Sequence, residues 1–227
     1  MLRKYEVQTI GYIHNDYKEK FGIPRQSGLT ESVVSRIIFE KKFSNESYFK
    51  GLENFTHIWL LWLFSETIGK DITPTVRPPK LGGNERMGVF ATRSPFRPNH
   101  IGMSSVKIEK IDYNEQFGTI IYVSGADLMN GTPIIDIKPY LPYTDIHNDA
   151  SNGFALSELN DTLEVECSEE ILGKIPFDMV DGLFETLKHD PRPSYHNDCE
   201  RIYGMSFGDM QVKFKVGDKV LTIIEIE

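Results

Sequence analysis

The sequence predicts a mainly β protein: a barrel or sandwich of short strands over residues 1–145, followed by a small α+β unit over residues 146–227. Three observations predict it. Short runs rich in β-branched and aromatic residues recur through the first part, each bounded by Gly, Pro, Asn or Asp. Helix signals there are few. After the polar, turn-rich stretch Tyr143–Phe154 the pattern changes to one helix and one hairpin, so a domain boundary is expected at 145/146.

Taken in order, strands are expected at Val7–His14, Val33–Phe39 and His57–Phe64. The run Ile58-Trp-Leu-Leu-Trp-Leu-Phe64 does not alternate, which suggests a strand covered on both faces. Ser104–Asp112 and Gly118–Ser124 form a hairpin across Tyr113–Phe117. Asn130-Gly131 is a tight-turn signature that holds Asp127 close to the strand that follows, where Asp136 and Lys138 share a face and can pair. Tyr140 and Tyr143, set among Pro139 and Pro142, either stack on a base or close the barrel end. Beyond the boundary, Pro176–His189 reads as a helix with an apolar stripe of Phe177, Val180, Leu183, Phe184 and Leu187. Gln211–Val216 and Lys219–Ile226 then alternate as two strands across Gly217-Asp218.

Composition narrows the function. A chain of 227 residues with 40% hydrophobic content can build an ample core. Cys167 and Cys199 lie far apart with no metal-binding spacing, so no metal and a reduced cytoplasmic setting are expected. The longest apolar run is too short to span a bilayer, and no membrane role is expected. No nucleophile elbow, Walker loop, His-Glu-x-x-His or dinucleotide-binding glycine pattern occurs.

Against a net charge of −8, the segment Thr75–Lys107 carries +5: Arg77, Lys80, Arg86, Arg93, Arg97 and Lys107 oppose only Glu85, leaving −13 for the rest. Its cations are interleaved with four prolines and four glycines, which fix turns and leave backbone amides accessible. Cations concentrated in this way imply an anionic ligand, and a positive patch can dock RNA while the remainder repels it. Arg25, between Pro24 and Gln26, presents a fork of donors from a constrained loop. In His189-Asp-Pro-Arg-Pro-Ser-Tyr195 two prolines lock Asp190, Arg192 and Tyr195 into an extended turn where their polar groups can converge.

Phe21-Gly-Ile-Pro-Arg-Gln, Thr75-Val-Arg-Pro-Pro-Lys-Leu-Gly-Gly-Asn, Gly88-Val-Phe-Ala-Thr-Arg-Ser-Pro-Phe-Arg-Pro-Asn, Gly131-Thr-Pro, Asp136-Ile-Lys-Pro-Tyr and Asp190-Pro-Arg-Pro-Ser-Tyr together resemble the TsaA-like/TrmO family of S-adenosylmethionine-dependent tRNA methyltransferases. The resemblance implies an antiparallel β-barrel, a homodimer, and methylation of the exocyclic nitrogen of threonylcarbamoyladenosine beside the anticodon of tRNA. It places Pro24, Arg25, Gln26, Phe64, Ser65, Arg93, Met103, Asp127, Leu128, Met129 and Asn130 at the S-adenosylmethionine site. Arg77, Arg86 and Arg97 would face RNA or the threonyl carboxylate, Arg192 would hold that carboxylate, and Asp190 or Tyr195 would take the proton. Three positions depart from the family: Ser65 stands where His is usual, His100 where Pro is usual, and Asn130 where Asp is common. The alternative is a non-catalytic RNA-binding barrel, in which the basic segment holds phosphates and Tyr140 or Tyr143 stacks bases.

Overall fold

In a computed structural model, which describes residues 3–78, 81, 85–155, 162–192 and 198–227, six strands close an antiparallel barrel. These are β1 (Gly11–His14), β2 (Val34–Phe39), β3 (His57–Leu63), β6 (Ile101–Asn114), β7 (Gly118–Ser124) and β8 (Pro133–Pro139), running around the barrel as β1-β2-β7-β6-β3-β8. Closure pairs β8 with β1, so the barrel rather than the sandwich forms. Its interior is filled by one side chain in two from each strand, among them Ile13, Ile37, Ile58, Leu60, Val106, Ile121, Val123 and Ile134, all nearly inaccessible to solvent.

Strand β3 alternates after all. Ile58, Leu60 and Trp62 are buried while Trp59, Leu61 and Leu63 on the outer wall are half-buried. The continuous apolar run therefore serves a one-sided strand, its outer side chains partly covered by neighbours such as the Tyr140 ring at 5.4 Å from Trp59. The first strand begins at Gly11 rather than Val7, because Val7 lies exposed and has no partner strand there. The Asp136–Lys138 pair forms at 2.9 Å. A short helix α1 (Pro142–Asp145) is fixed to the barrel by Asp145, whose Oδ2 accepts from Trp59 Nε1 and from the Leu141 amide, both at 2.8 Å. Those bonds hold the Asp145 carboxyl below its usual range. The basic segment carries a two-stranded ribbon of β4 (Thr75–Val76) and β5 (Met87–Gly88).

The second core lies in a sheet ordered β10-β11-β12-β9, from β9 (Glu164–Glu166), β10 (Tyr203–Phe207), β11 (Met210–Gly217) and β12 (Val220–Ile226), with β9 parallel to β12. Asp218 and Lys219, both at positive φ, make the two-residue turn between β11 and β12. Beside α2 (Glu169–Leu172), helix α3 (Val180–Lys188) adds Leu183 and Leu187 to this core. The helix starts three residues later than its apolar pattern suggests. Phe177 falls in a 3₁₀ turn and is 96% exposed, so it lies outside the stripe.

The second core also takes side chains from before β2. Tyr17 and Val33 are buried in it, Phe21 and Ile23 pack against it, and the Phe21 ring stacks on Phe214. Residues 17–33 thus form a strap between the barrel and the C-terminal sheet. Polar bonds pin it: Ser206 N donates to Glu19 Oε1 at 2.6 Å, and Ser32 N to Glu185 Oε2 at 2.7 Å. Burial pushes the Tyr17 phenol up to about 12, so it stays neutral within this seam.

Gly102 lies under the Trp62 indole, where an added Cβ would collide with the ring. Gly102→Ala is therefore expected to lower unfolding stability by about 1–3 kcal/mol through overpacking. Denaturant titration followed by tryptophan fluorescence measures it, and an unchanged midpoint would mean that Trp62 is free to move.

Candidate active site

The strap delivers the first group of candidate residues. Gly22 has φ +97° and packs against Met205, so only glycine fits where the chain turns off the second core. Pro24 is buried and the next two residues are exposed. Arg25 Nη2 donates to the carbonyls of Asp190 at 3.1 Å and Arg192 at 2.9 Å. Gln26 accepts at Oε1 from Arg93 Nη1 at 2.5 Å and donates to the Arg25 carbonyl. Two glycines then bring the strap onto the barrel: Gly28 N donates to Gly125 O at 2.8 Å, and a Cβ on Gly125, whose φ is +78°, would press on the Gly28 backbone. Three stretches far apart in sequence, around residues 25, 93 and 190, thereby meet.

The strand ladder explains where the acid sits. β6 pairs with β7 only from Lys107 onward, so its first residues present an edge beside the segment that follows β7. Asp127 docks there, its Oδ1 accepting from Ser104 Oγ at 2.5 Å, while Ser104 Oγ accepts from Trp62 Nε1 at 3.0 Å. Burial pushes the Asp127 carboxyl up, outweighing the Ser104 bond and the nearby Arg93 charge, which lower it. A buried acid beside a few polar groups is well matched to a cationic ligand. Phe64 packs edge-on to Trp62, with ring centres 4.3 Å apart.

Leu128, Met129 and Asn130 build the turn that carries Asp127. The Leu128 side chain is buried in the barrel core. Asn15 Nδ2 donates to its carbonyl, and Asn130 Oδ1 accepts from Asn15 N at 3.1 Å. Thr132 closes the turn on the Met129 carbonyl. Ser65 opens a 3₁₀ turn whose Thr67 hydroxyl meets His100 Nδ1 at 3.0 Å, and the His100 carbonyl accepts from Phe64 N. His100, at φ +49°, is thus a brace for this turn.

In the Asp190-Pro-Arg turn, Asp190 grips Arg192 through both oxygens, at 2.8 and 2.9 Å, and holds the guanidinium above its usual range. The Arg192 side chain, 12% exposed, also lies over the Tyr203 ring. Tyr195 lies outside the described residues, as does Lys80. Arg86 Nε donates to Thr75 Oγ1 at 2.9 Å, Arg97 Nη1 donates to Thr92 O at 3.0 Å, and Arg77 is exposed. Met103 stands apart. It is 50% exposed on the outer wall of β6, on the opposite face from Ser104.

Sequence reasoning missed the Trp62–Ser104–Asp127 relay and an open cleft of about 470 Å³ lined by Ser27, Gly28, His57, Ser105, Lys107 and Tyr140 among others. The only signal for the relay was the period-2 placement of Ser104 on the inward face. Nothing local marks the cleft, because its walls come from five separate stretches. Among the described residues no cluster suited to a metal ion occurs, and no helix is long and apolar enough to cross a membrane.

Residues 12–146 match the family model for the tRNA-methyltransferase O N-terminal domain, and residues 158–227 match that for the TrmO C-terminal domain. The chain is 38% identical over 234 residues to the tRNA (adenine(37)-N6)-methyltransferase of Escherichia coli (strain K12), covering 100% of this chain and 99% of the relative. It is 42% identical over 173 residues to the protein of that name from Eikenella corrodens, covering 76% and 96%. A crystal structure of TrmO from P. aeruginosa superposes with a TM-score of 0.80 at 32% identity, covering 100% of this chain and 98% of the other.

The buried Asp127 links pH to stability. Its pKa is higher folded than unfolded, so the native state holds the proton longer and stability falls as pH rises from the unfolded value of about 3.9 through the folded one. Asp127→Asn keeps the Ser104 bond and removes the penalty. The variant is expected to melt higher than the wild type at pH 7, by about 2–4 °C for each kcal/mol recovered, and to lose that advantage near pH 3. Melting curves at the two pH values check it, and a variant less stable at pH 7 would mean the carboxylate is fully compensated.

Proposed function

The chain belongs to the tRNA-methyltransferase O family, and on that premise we propose that it is an S-adenosylmethionine-dependent methyltransferase that N6-methylates threonylcarbamoyladenosine beside the anticodon of tRNA. The observation that carries this reading is the convergence of Arg25, Arg93, Asp127 and the Asp190–Arg192 turn from distant parts of the chain. A phosphate-binding barrel gains nothing from a buried carboxyl at the centre of its cations, whereas a sulfonium amino acid offers a cation for Asp127 and a carboxylate for an arginine. The donor set fits the methyl donor on that chemistry.

Pro24, Arg25, Gln26, Phe64, Ser65, Arg93 and the Asp127–Asn130 turn are the residues to hold it, and S-adenosylmethionine supplies the electrophilic methyl group when bound. The chain's own task is chiefly positioning, because the acceptor nitrogen is a weak nucleophile and alignment dominates the barrier. Arg25 ties the donor loop to the Asp190–Arg192 turn, so the two halves of the site move as one. Asp190 fixes Arg192 and is also placed to accept the acceptor's proton, directly or through water, with Tyr195 as the other proton acceptor. Arg192, held by Asp190 and the Tyr203 hydroxyl, offers an N–H to the threonyl carboxylate, while Arg77, Arg86 and Arg97 offer cations to the RNA.

The division into residues 1–145 and 146–227 belongs to this proposal, with residues 17–33 strapping the two units together. So does a homodimer, in which the half-exposed Met103 on the outer barrel wall is free to contact a second copy. A cytoplasmic setting belongs to the same proposal, in keeping with a tRNA substrate.

Isothermal titration with S-adenosylmethionine is expected to show binding that disappears in Arg93→Ala. No binding to the wild type would sink the methyltransferase reading in favour of a non-catalytic RNA-binding barrel. Asp190→Asn, which removes the charge gripping Arg192, is expected to lower kcat by at least about 10²-fold with little change in tRNA affinity. Retained turnover would reject both roles given to Asp190.

A further inference from the structure

The ring of Phe90 is 77% exposed in the middle of the basic segment, where the tRNA reading gives it no task. It sits in a 3₁₀ turn, Val89–Ala91, that leaves it no inward alternative. Val89 is buried; its amide donates to the Pro74 carbonyl at 3.0 Å, and its carbonyl accepts from both the Thr92 amide and the Thr92 hydroxyl. With its neighbour anchored in this way, the phenyl ring is held outward on a fixed element. An exposed Phe forgoes the free energy of its burial, so a covering partner is well motivated.

Charge selects the partner. Arg86, Arg93 and Arg97 lie within seven residues of Phe90 along the chain, so covering the ring with the same surface of a second copy would bring like charges together. An unpaired nucleobase satisfies both features at once, its face on the ring and its phosphates on the arginines. Gly88 adds to this. Its φ of −57° suits any residue and an added Cβ would touch nothing, so the fold does not require a glycine, yet its bareness leaves the approach to the ring open. The Arg93–Gln26 bond ties the stretch just after this turn to the loop proposed to hold the methyl donor.

We infer that Phe90 is a stacking platform for an unpaired base of the tRNA loop beside the acceptor nucleoside. This deepens the function proposed above and rests on it. The test uses the full chain with tRNA carrying threonylcarbamoyladenosine, comparing Phe90→Ala, Phe90→Leu and Phe90→Trp. Stacking predicts a KM for tRNA raised about 5- to 100-fold in Phe90→Ala, with kcat and S-adenosylmethionine affinity near wild type. Phe90→Trp restores KM, and Phe90→Leu does not. An unchanged KM in Phe90→Ala, or full restoration by Leu, overturns the inference. So does a shift of Phe90→Ala to a smaller species in light scattering, which would make a second copy the occupant. Should the wild type transfer no methyl group, the proposed function fails, and fluorescence-anisotropy binding of the same tRNA by the four proteins decides Phe90 separately: equal affinities would reject the stacking role.

Discussion

The packing of residues 17–33 into a core that is not the barrel's own is the constraint on which the remainder depends. Tyr17, Phe21, Ile23 and Val33 bury apolar surface against the C-terminal sheet, and the free energy of that burial holds the strap in one place. Once the strap is fixed, Pro24 turns the chain so that Arg25 and Gln26 emerge between the two units, and the Gly28–Gly125 contact sets their height against the barrel. The meeting of Arg25, Arg93 and the Asp190–Arg192 turn is therefore a product of the strap packing against the second core and bonding to the barrel. Neither unit alone contains Arg25, Asp127 and the Asp190–Arg192 turn in one place.

Electrostatics divides the molecule in a comparable way. The chain is acidic as a whole, yet Arg25, Arg93 and Arg192 come together where the strap meets the basic segment and the C-terminal turn. Several are already committed: Arg192 to Asp190, Arg97 to a backbone carbonyl, Arg86 to Thr75. Such bonds fix guanidinium planes in space before a ligand arrives, which lowers the ordering cost of binding. Asp127 shows the opposite device, a carboxyl kept where its charge is disfavoured and therefore receptive to a cationic group.

The barrel contributes rigidity and one irregularity. Because β6 outruns β7, Ile101–Val106 have no β7 partner, and Ser104 of this stretch joins Trp62 to Asp127. A regular ladder would have spent those positions on strand pairing. The closed topology allows such a local departure without creating an edge open to aggregation.

The sequence by itself determined the strands of the barrel, the β11–β12 hairpin, the Asn130-Gly131 turn and the basic segment, because side-chain periodicity, turn chemistry and charge are local properties. It misplaced Phe177, since a periodic apolar pattern does not show where a 3₁₀ turn gives way to a helix. It singled out Arg25, Arg93, Asp127 and Asp190 from loop chemistry and charge and gave them roles through resemblance, but did not show what each touches. Only the tertiary structure decided that Arg25 bonds the carbonyl of a residue 165 positions away, that both oxygens of Asp190 grip Arg192, and that Met103 faces outward. Those contacts follow from how two separate cores dock through one strap, and no local pattern of residues encodes that docking.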